Sequence, residues 1–295
     1  MVTPVLVWSG LDPGAAPGSR RLSRRLAHAR RRPLVAAGSP ALTSAALGIA
    51  PPPIGPLVRL AGGYAADERG WFLAEPVNLV ADRDRLLLLR LGEDDLDRSE
   101  SDALIAVVRE HFAGTGLVLE RHTAGRWYFA YPGITDAASV APAAAAGAAV
   151  ETMPEGAHGR RLASVLTEVQ MLWHVHPVNR IRHAAGRREA NALWVWGGGC
   201  LPAPPALGNC PHLLGNAPEI AGLALWLGLD RKPLVSPSAC ADPHSCIVII
   251  ERGEERVGEE WLARLGAAGS AFDLLVDEVV LSVPARRSLM RRDRG

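Results

Sequence analysis

Residues 191–199 read NALWVWGGG, an apolar run with two tryptophans that ends in three glycines. The run predicts a buried β-strand because it is short, continuous and apolar. Gly197, Gly198 and Gly199 would then follow the strand at its carboxyl end, where parallel sheets bind ligands. Three prolines within residues 200–208 exclude a helix directly after them, so these glycines do not form a nucleotide cradle, which needs a helix N-terminus. A ligand-facing loop and a plain chain turn remain as the two interpretations.

The segments around this strand alternate between helix and strand. The predicted elements are a first strand at 5–8, a buried helix at 162–173, a second helix from Pro177 to Gly186, a strand at 245–251, a helix at 259–269 and a last strand at 272–283. Such alternation is typical of an α/β fold. We expect a mostly parallel central sheet with flanking helices.

Residues 71–131 have a different pattern, with two strands, a capped helix and a hairpin, which predicts a smaller α+β unit. Residues 137–150 are rich in alanine and interrupted by Pro142 and Gly147, which favours a linker. The predicted division is an α/β core of residues 1–64 and 151–295, an α+β insertion or lobe of residues 65–136, and a linker of residues 137–150.

Composition narrows the class of protein. The 295 residues carry a formal net charge of +1, which argues against general attraction to nucleic acid or anionic lipid. Residues 19–32 predict a helix with a solvated basic face, the sharper alternative being an anion-binding or targeting helix. No signal-peptide pattern opens the sequence, and no apolar run reaches the ~18 residues of a membrane span. We expect a cytoplasmic protein with reduced thiols.

One set of polar residues is a candidate ligand site. Gln170 and His174 lie four residues apart and so share a face of the predicted helix. The full candidate set is Gln170, His174, His176, Asn179, Arg182, Asn191, Trp196, Gly197, Gly198 and Gly199. In the functional interpretation a histidine acts as general base or metal ligand. The alternative is a hydrogen-bonded network that braces the chain at Pro177.

A zinc site is the other pattern considered. Cys240, His244 and Cys246 could supply ligands together with Cys200, Cys210 or His212. Their spacing matches no compact zinc knuckle, and cysteines in apolar segments are commonly core residues. We therefore predict no metal site.

Three segments carry a family resemblance: residues 166–202 (LTEVQMLWHVHPVNRIRHAAGRREANALWVWGGGCLP), 71–89 (WFLAEPVNLVADRDRLLLL) and 125–133 (GRWYFAYPG). They resemble a bacterial family described as phosphoglycerate mutase-like or as uncharacterised regulatory proteins. That family is distantly similar to archaeal-type cofactor-independent phosphoglycerate mutases of the alkaline phosphatase superfamily, and NALWVWGGG with its proline-rich continuation carries this likeness.

The resemblance implies an alkaline phosphatase-like core, two divalent metal ions at strand ends, and a serine or threonine that accepts the phosphoryl group. The sequence departs from that pattern. The superfamily's first strand ends in Asp-Gly, whereas this one ends in Trp8-Ser9-Gly10, with Asp12 following. The Asp-His-Gly metal motif is absent, and Asp242-Pro243-His244 is the nearest run.

These departures order the functional hypotheses. The leading one is a phosphoglycerate mutase-like protein without metal centre or cofactor, which acts as a regulatory or small-anion-binding module rather than an enzyme. The alternative is an active phosphomutase or phosphatase with two manganese or zinc ions. In that case the metal ligands would be Asp12, Asp242, His244 and the histidines at 174 and 176. A third is a nucleic-acid-binding regulator that uses the basic segment 19–32, although near-neutral charge argues against it.

Overall fold

The structure is a computed structural model. It describes residues 5–8, 25–33, 39–82, 85–91, 94–137, 139–146, 154, 156–207, 212–239, 246–268, 271–276 and 279–285. The strands in chain order are β1 (Val5–Trp8), β2 (Arg30–Pro33), β3 (Trp71–Asp82), β4 (Arg85–Arg90), β5 (Val118–Arg121), β6 (Trp127–Ala130), β7 (Ala192–Gly199), β8 (His212–Leu214), β9 (Arg231–Lys232), β10 (Cys246–Ile250), β11 (Phe272–Val276) and β12 (Val279–Val283). The helices are α1 (Ser39–Ala46), α2 (Ile54–Ala61), α3 (Arg98–His111), α4 (Pro142–Ala145), α5 (Gly159–His174), α6 (Pro177–Ala184), α7 (Pro218–Leu227) and α8 (Glu255–Ala268), with a 3₁₀ turn at Pro237–Ala239.

The chain divides into two units, of which unit 1 comprises Met1–Pro52 and Ala203–Gly295. Its described strands form a seven-stranded sheet in the order β2-β12-β11-β1-β10-β8-β9. The strands from β11 through β1, β10 and β8 to β9 pair in parallel, whereas β12 pairs antiparallel with both β11 and β2. The predicted mixed α/β class is confirmed, and the predicted parallel sheet describes one part of unit 1.

Helices cover both faces of the unit 1 sheet. Alternate residues of a strand point to opposite faces, so neighbouring residues of β1 contact different helices. Leu6 and Trp8 of β1 pack in the same cluster as Trp261 of α8. Val7, between them in sequence, packs instead with Leu42 of α1 and with residues of α7. Both faces of β1 are therefore buried, as in parallel α/β sheets generally.

Unit 2 is the continuous segment Pro53–Pro202. Its described strands form a five-stranded sheet in which every named pair is antiparallel. The long strand β3 is its centre and pairs with β4, β6 and β7. Phe72 and Trp127 on one face pack with residues of α3 and α5. Leu73 and Tyr128 on the other face pack with Val58 of α2.

The position of β7 corrects the sequence-based picture. This strand was predicted in the parallel sheet, but it pairs antiparallel with β3 in unit 2. Residues 53–64 and 151–202 therefore lie with the predicted insertion rather than with the predicted core. The physical reason is that β7 and its partner are both buried, and a continuous apolar run predicts burial without specifying a partner.

Two further segments differ from prediction. In the predicted linker, Pro142–Ala145 is helical, and the Trp194 indole N–H donates to the carbonyl oxygen of Val140, so this part packs on unit 2. The predicted helix at 19–32 is helical at 25–27, but Arg30–Pro33 is strand β2, paired with β12. Residues 19–24 and 147–150 lie outside the described part of the chain.

Candidate functional site

The candidate histidines lie at the break between α5 and α6. His174 is exposed and Gln170 is half-buried on α5. His176 adopts an extended conformation and caps α6, because its Nδ1 accepts a hydrogen bond from the Val178 N–H at 3.3 Å. Burial, and then the positive charge of Arg180, lower the pKa of His176. The neutral ring that accepts the capping bond is thereby favoured.

The two candidate asparagines are bound to the backbone. Asn179 is 1% exposed, and its amide donates to the carbonyl oxygens of Trp173 and Ala190, both at 2.9 Å. Its oxygen accepts from the Ala190 N–H at 2.9 Å. Asn191 exchanges two bonds with the backbone of Leu79, at 2.7 and 2.9 Å. These side-chain amides join separate segments of unit 2, and both the NH₂ group and the oxygen of each are already hydrogen-bonded to backbone.

Arg182 is likewise committed within the protein. It is 1% exposed, and its Nε donates to the Arg188 carbonyl oxygen at 2.6 Å. A terminal nitrogen donates to the carbonyl oxygen of Asp95 and to a carboxylate oxygen of Glu100, each at 2.8 Å. Glu100 also pairs with Arg187 at 3.2 Å. Arg182 is therefore a buried ionic link between α6 and the start of α3.

The three glycines form an irregularity inside a strand. Trp71 of β3 is opposite Gly199 of β7, whereas Leu73, two residues later, is opposite Trp196, three residues earlier. The extra residue on β7 is a β-bulge, and Gly197 adopts a left-handed φ of +63° within it. The glycines thus shape an antiparallel pair and do not lie at the end of a parallel strand.

Gly198 also leaves room for an aromatic ring. A Cβ atom added at Gly198 would lie 1.7 Å from the Phe72 ring. Beside the bulge, Trp196 is 7% exposed, and its indole N–H has no partner among the described residues. The Arg126 guanidinium carbon lies 6.0 Å from the Trp196 ring centroid. The bonds of Asn179, Asn191 and Arg182 and the packing at Gly198 favour a structural network at those four residues, whereas Trp196 keeps an unpaired donor among the described residues.

A cleft of about 310 Å³ lies elsewhere in unit 2, lined by residues 68–70, 116 and 130–135. Its volume is in the range of small-molecule sites. Arg161 lies beside it, with the guanidinium carbon 5.1 Å from the centroid of the Tyr131 ring. The candidate set from the sequence does not include this cleft, because its lining comes from segments that are far apart in the chain, around residues 68–70, 116 and 130–135. The run GRWYFAYPG, which contributes Tyr131 and Gly133, is the pattern that could have indicated it.

Comparisons with known proteins show sequence similarity over about a quarter of the chain. No family model matches the chain. Over 82 residues it is 28% identical to the 2,3-bisphosphoglycerate-independent phosphoglycerate mutase of Methanosarcina mazei, and over 77 residues 31% identical to the enzyme of the same description from Methanothrix thermoacetophila. The chain is distantly similar to cofactor-independent phosphoglycerate mutases. The matched segments cover 26% of this chain and only 21% and 20% of those two relatives.

Solved structures show the fold at lower identity. The PH0037 protein from Pyrococcus horikoshii matches 97% of this chain and 88% of its own, with a TM-score of 0.50 and 13% identity. The cofactor-independent phosphoglycerate mutase from Thermoplasma acidophilum matches 95% of this chain and 89% of its own, with a TM-score of 0.46 and 17% identity. The former supports a mixed α/β fold.

At the described strand ends of unit 1, the side chains are packed in the core or hydrogen-bonded within the chain. Trp8 ends β1 and is 2% exposed. A Cβ atom added at Gly258 of α8 would lie 2.7 Å from its indole. After β10, the Glu254 carboxylate accepts the Glu251 N–H at 2.9 Å and the Asn216 amide at 2.7 Å. No group of three or more histidine, cysteine or acidic residues suited to a metal ion occurs among the described residues.

Five of the candidate metal ligands considered in the sequence lie outside the described part of the chain. They are Asp12, Cys210, Cys240, Asp242 and His244, so the prediction of no metal site and the alternative zinc and two-metal hypotheses all stay untested. Of their suggested partners, His212 pairs with Asp230 at 3.0 Å, Cys246 is buried, and Cys200 is exposed with its thiol 3.5 Å from the Glu68 carbonyl oxygen. In the described part of the chain, no helix has the length and apolar character needed to cross a bilayer.

Proposed function

We propose that this protein is a phosphoglycerate mutase-like protein in which an alkaline phosphatase-like core acts as a regulatory or small-anion-binding module. It performs no metal-dependent phosphoryl transfer and carries no metal or cofactor. Its similarity to cofactor-independent phosphoglycerate mutases over about a quarter of the chain supports the scaffold. The chemistry of unit 1 supports the loss of the reaction.

The observation that carries the proposal is the burial of Trp8 at the end of β1. The resemblance calls for a carboxylate there, since hard divalent cations are held by oxygen ligands at strand ends. An indole has one N–H donor and no acceptor, so it cannot ligate a cation. The missing side chain at Gly258 makes room for this ring. The Trp8 indole is therefore a residue of the hydrophobic core of unit 1.

The proposal is tested by elemental analysis of the purified full-length chain together with mutase and phosphatase assays. We expect no stoichiometric manganese or zinc, and no turnover of phosphoglycerate or of a general phosphatase substrate when either metal is added. An archaeal-type mutase prepared in parallel is the positive control. Stoichiometric metal accompanied by turnover would overturn the proposal.

The alternative proposal is an active phosphomutase or phosphatase with a rearranged site, which the sequence similarity to cofactor-independent phosphoglycerate mutases favours. In it His174, whose ring is exposed at the end of α5, serves as a ligand. His174→Ala would then abolish turnover while leaving the melting temperature unchanged. Retained turnover in that variant would reject His174 as a ligand.

A further inference from the structure

The cleft at residues 68–70, 116 and 130–135 brings cationic groups to a ligand-sized space. Arg69 is exposed and lines it, and among the described residues its guanidinium has no hydrogen-bond or ion-pair partner. Arg161 stands over the ring of Tyr131, another lining residue. Among the described residues, the Arg161 guanidinium contacts this ring and donates no hydrogen bond. Arg69 therefore keeps donors available in the lining of the cleft, and Arg161 keeps donors available beside two lining residues, Tyr131 and Gly133.

The walls of the cleft are held in place by close backbone packing. A Cβ atom at Gly70 would lie 2.4 Å from the carbonyl oxygen of Ile134, so the segment before β3 and the segment after β6 are in direct contact. Asp67 fixes the first segment by accepting the Trp71 indole N–H at 2.7 Å and the Arg69 N–H at 3.1 Å. A site whose frame is fixed in advance loses little entropy when it binds.

Gly133 places the second arginine. Its φ is +72°, and a Cβ atom there would lie 3.0 Å from a terminal nitrogen of Arg161. With glycine at this position, the guanidinium can lie close to the turn and across the Tyr131 ring. Stacking on an aromatic face restricts an arginine side chain and leaves the donors at its edge free for an anion.

We propose that this cleft binds a small oxyanion, a phosphate or a carboxylate, between Arg69 and Arg161. The inference rests on the proposed function and gives its anion site a position, away from the polar residues around α6. The planar guanidinium group matches the oxygen pairs of both anions. Glu68 is the acidic residue in the lining, and its negative charge weakens the binding of anions, most of all those with several negative charges.

The test is titration of the labelled full-length protein with inorganic phosphate and, separately, with acetate at constant ionic strength, followed by amide chemical shifts. We expect saturable shifts at Gly70, Gly133 and Thr135, and the tighter of the two titrations identifies the anion. Arg69→Ala and Arg161→Ala should each weaken binding on the order of tenfold, as loss of one charge-assisted contact does. Glu68→Gln should tighten binding.

Arg160→Ala is the matched control. It removes the same charge from the neighbouring exposed position of α5, which, unlike Arg161, has no recorded contact with Tyr131 or Gly133, and should bind as the parent does. Equal affinities for the parent, Arg69→Ala and Arg161→Ala would overturn the inference, as would shifts confined to other amides or no saturable shift with either anion. Metal-dependent turnover would overturn the proposed function instead, so the two failures are distinguishable.

Discussion

At the scale of single residues, the close approach of Phe72 explains why position 198 is glycine. A methyl group there would overlap the ring at 1.7 Å, so the ring must move within a packed core. We expect Gly198→Ala to lower the free energy of unfolding by about 1–3 kcal/mol, the range for overpacking. In a double-mutant cycle measured by urea unfolding, Gly198→Ala with Phe72→Leu should lose clearly less than the sum of the single changes. Strict additivity would show that the ring is not the obstacle.

A second single-residue prediction concerns the buried charge of Arg182. Replacing it by methionine takes from Glu100, whose side chain is 12% exposed, its nearest cation and from the Arg188 carbonyl oxygen its donor, while Arg187 still pairs with Glu100 and donates to the Asp95 carbonyl oxygen. We expect Arg182→Met to lower the free energy of unfolding by about 2–3 kcal/mol, less than the loss of a buried pair with no second cation. Arg180→Met on the exposed face of the same helix should change stability by less than about 0.5 kcal/mol. Similar losses in both variants would mean that Arg182 makes no special contribution.

At the scale of elements, the cap of α6 makes stability depend on pH. The pKa of His176 is lowered in the folded protein, so the unfolded chain binds the proton more readily. The stabilisation is therefore present above the ordinary histidine pKa of about 6.5 and is lost as the pH falls below it. His176→Asn keeps a capping acceptor that does not titrate. Thermal melts between roughly pH 5.5 and 7.5 should show a shallower decline in this variant, whereas His174→Asn should keep the parent's profile.

Helices were predictable from this sequence and strand partners were not. The spacing of apolar residues identified α5, and the prolines and glycines bounded α6, because helical contacts are local in sequence. The strand β7 was identified as buried, but its pairing with β3 joins residues more than a hundred positions apart. The same limit applied to the candidate site. Asn191 and Arg182 were singled out for polarity, yet the backbone groups of Leu79 and Asp95 that bind them lie 112 and 87 positions away, in segments whose proximity only the fold specifies.

At the scale of the whole chain, we expect residues 53–202, rather than 65–136, to fold independently. The longer segment is continuous and contains two buried clusters of its own. Expressed alone, it should unfold in one cooperative thermal transition, and Gly198→Ala should destabilise it as much as the full chain. The fragment 65–136 lacks α5 and β7, so it exposes one edge of β3 and the apolar face that α5 covers. We expect that fragment to aggregate or to lack a cooperative transition in circular dichroism, because unpaired strand edges template association. A cooperative transition in the short fragment would restore the sequence-based boundaries.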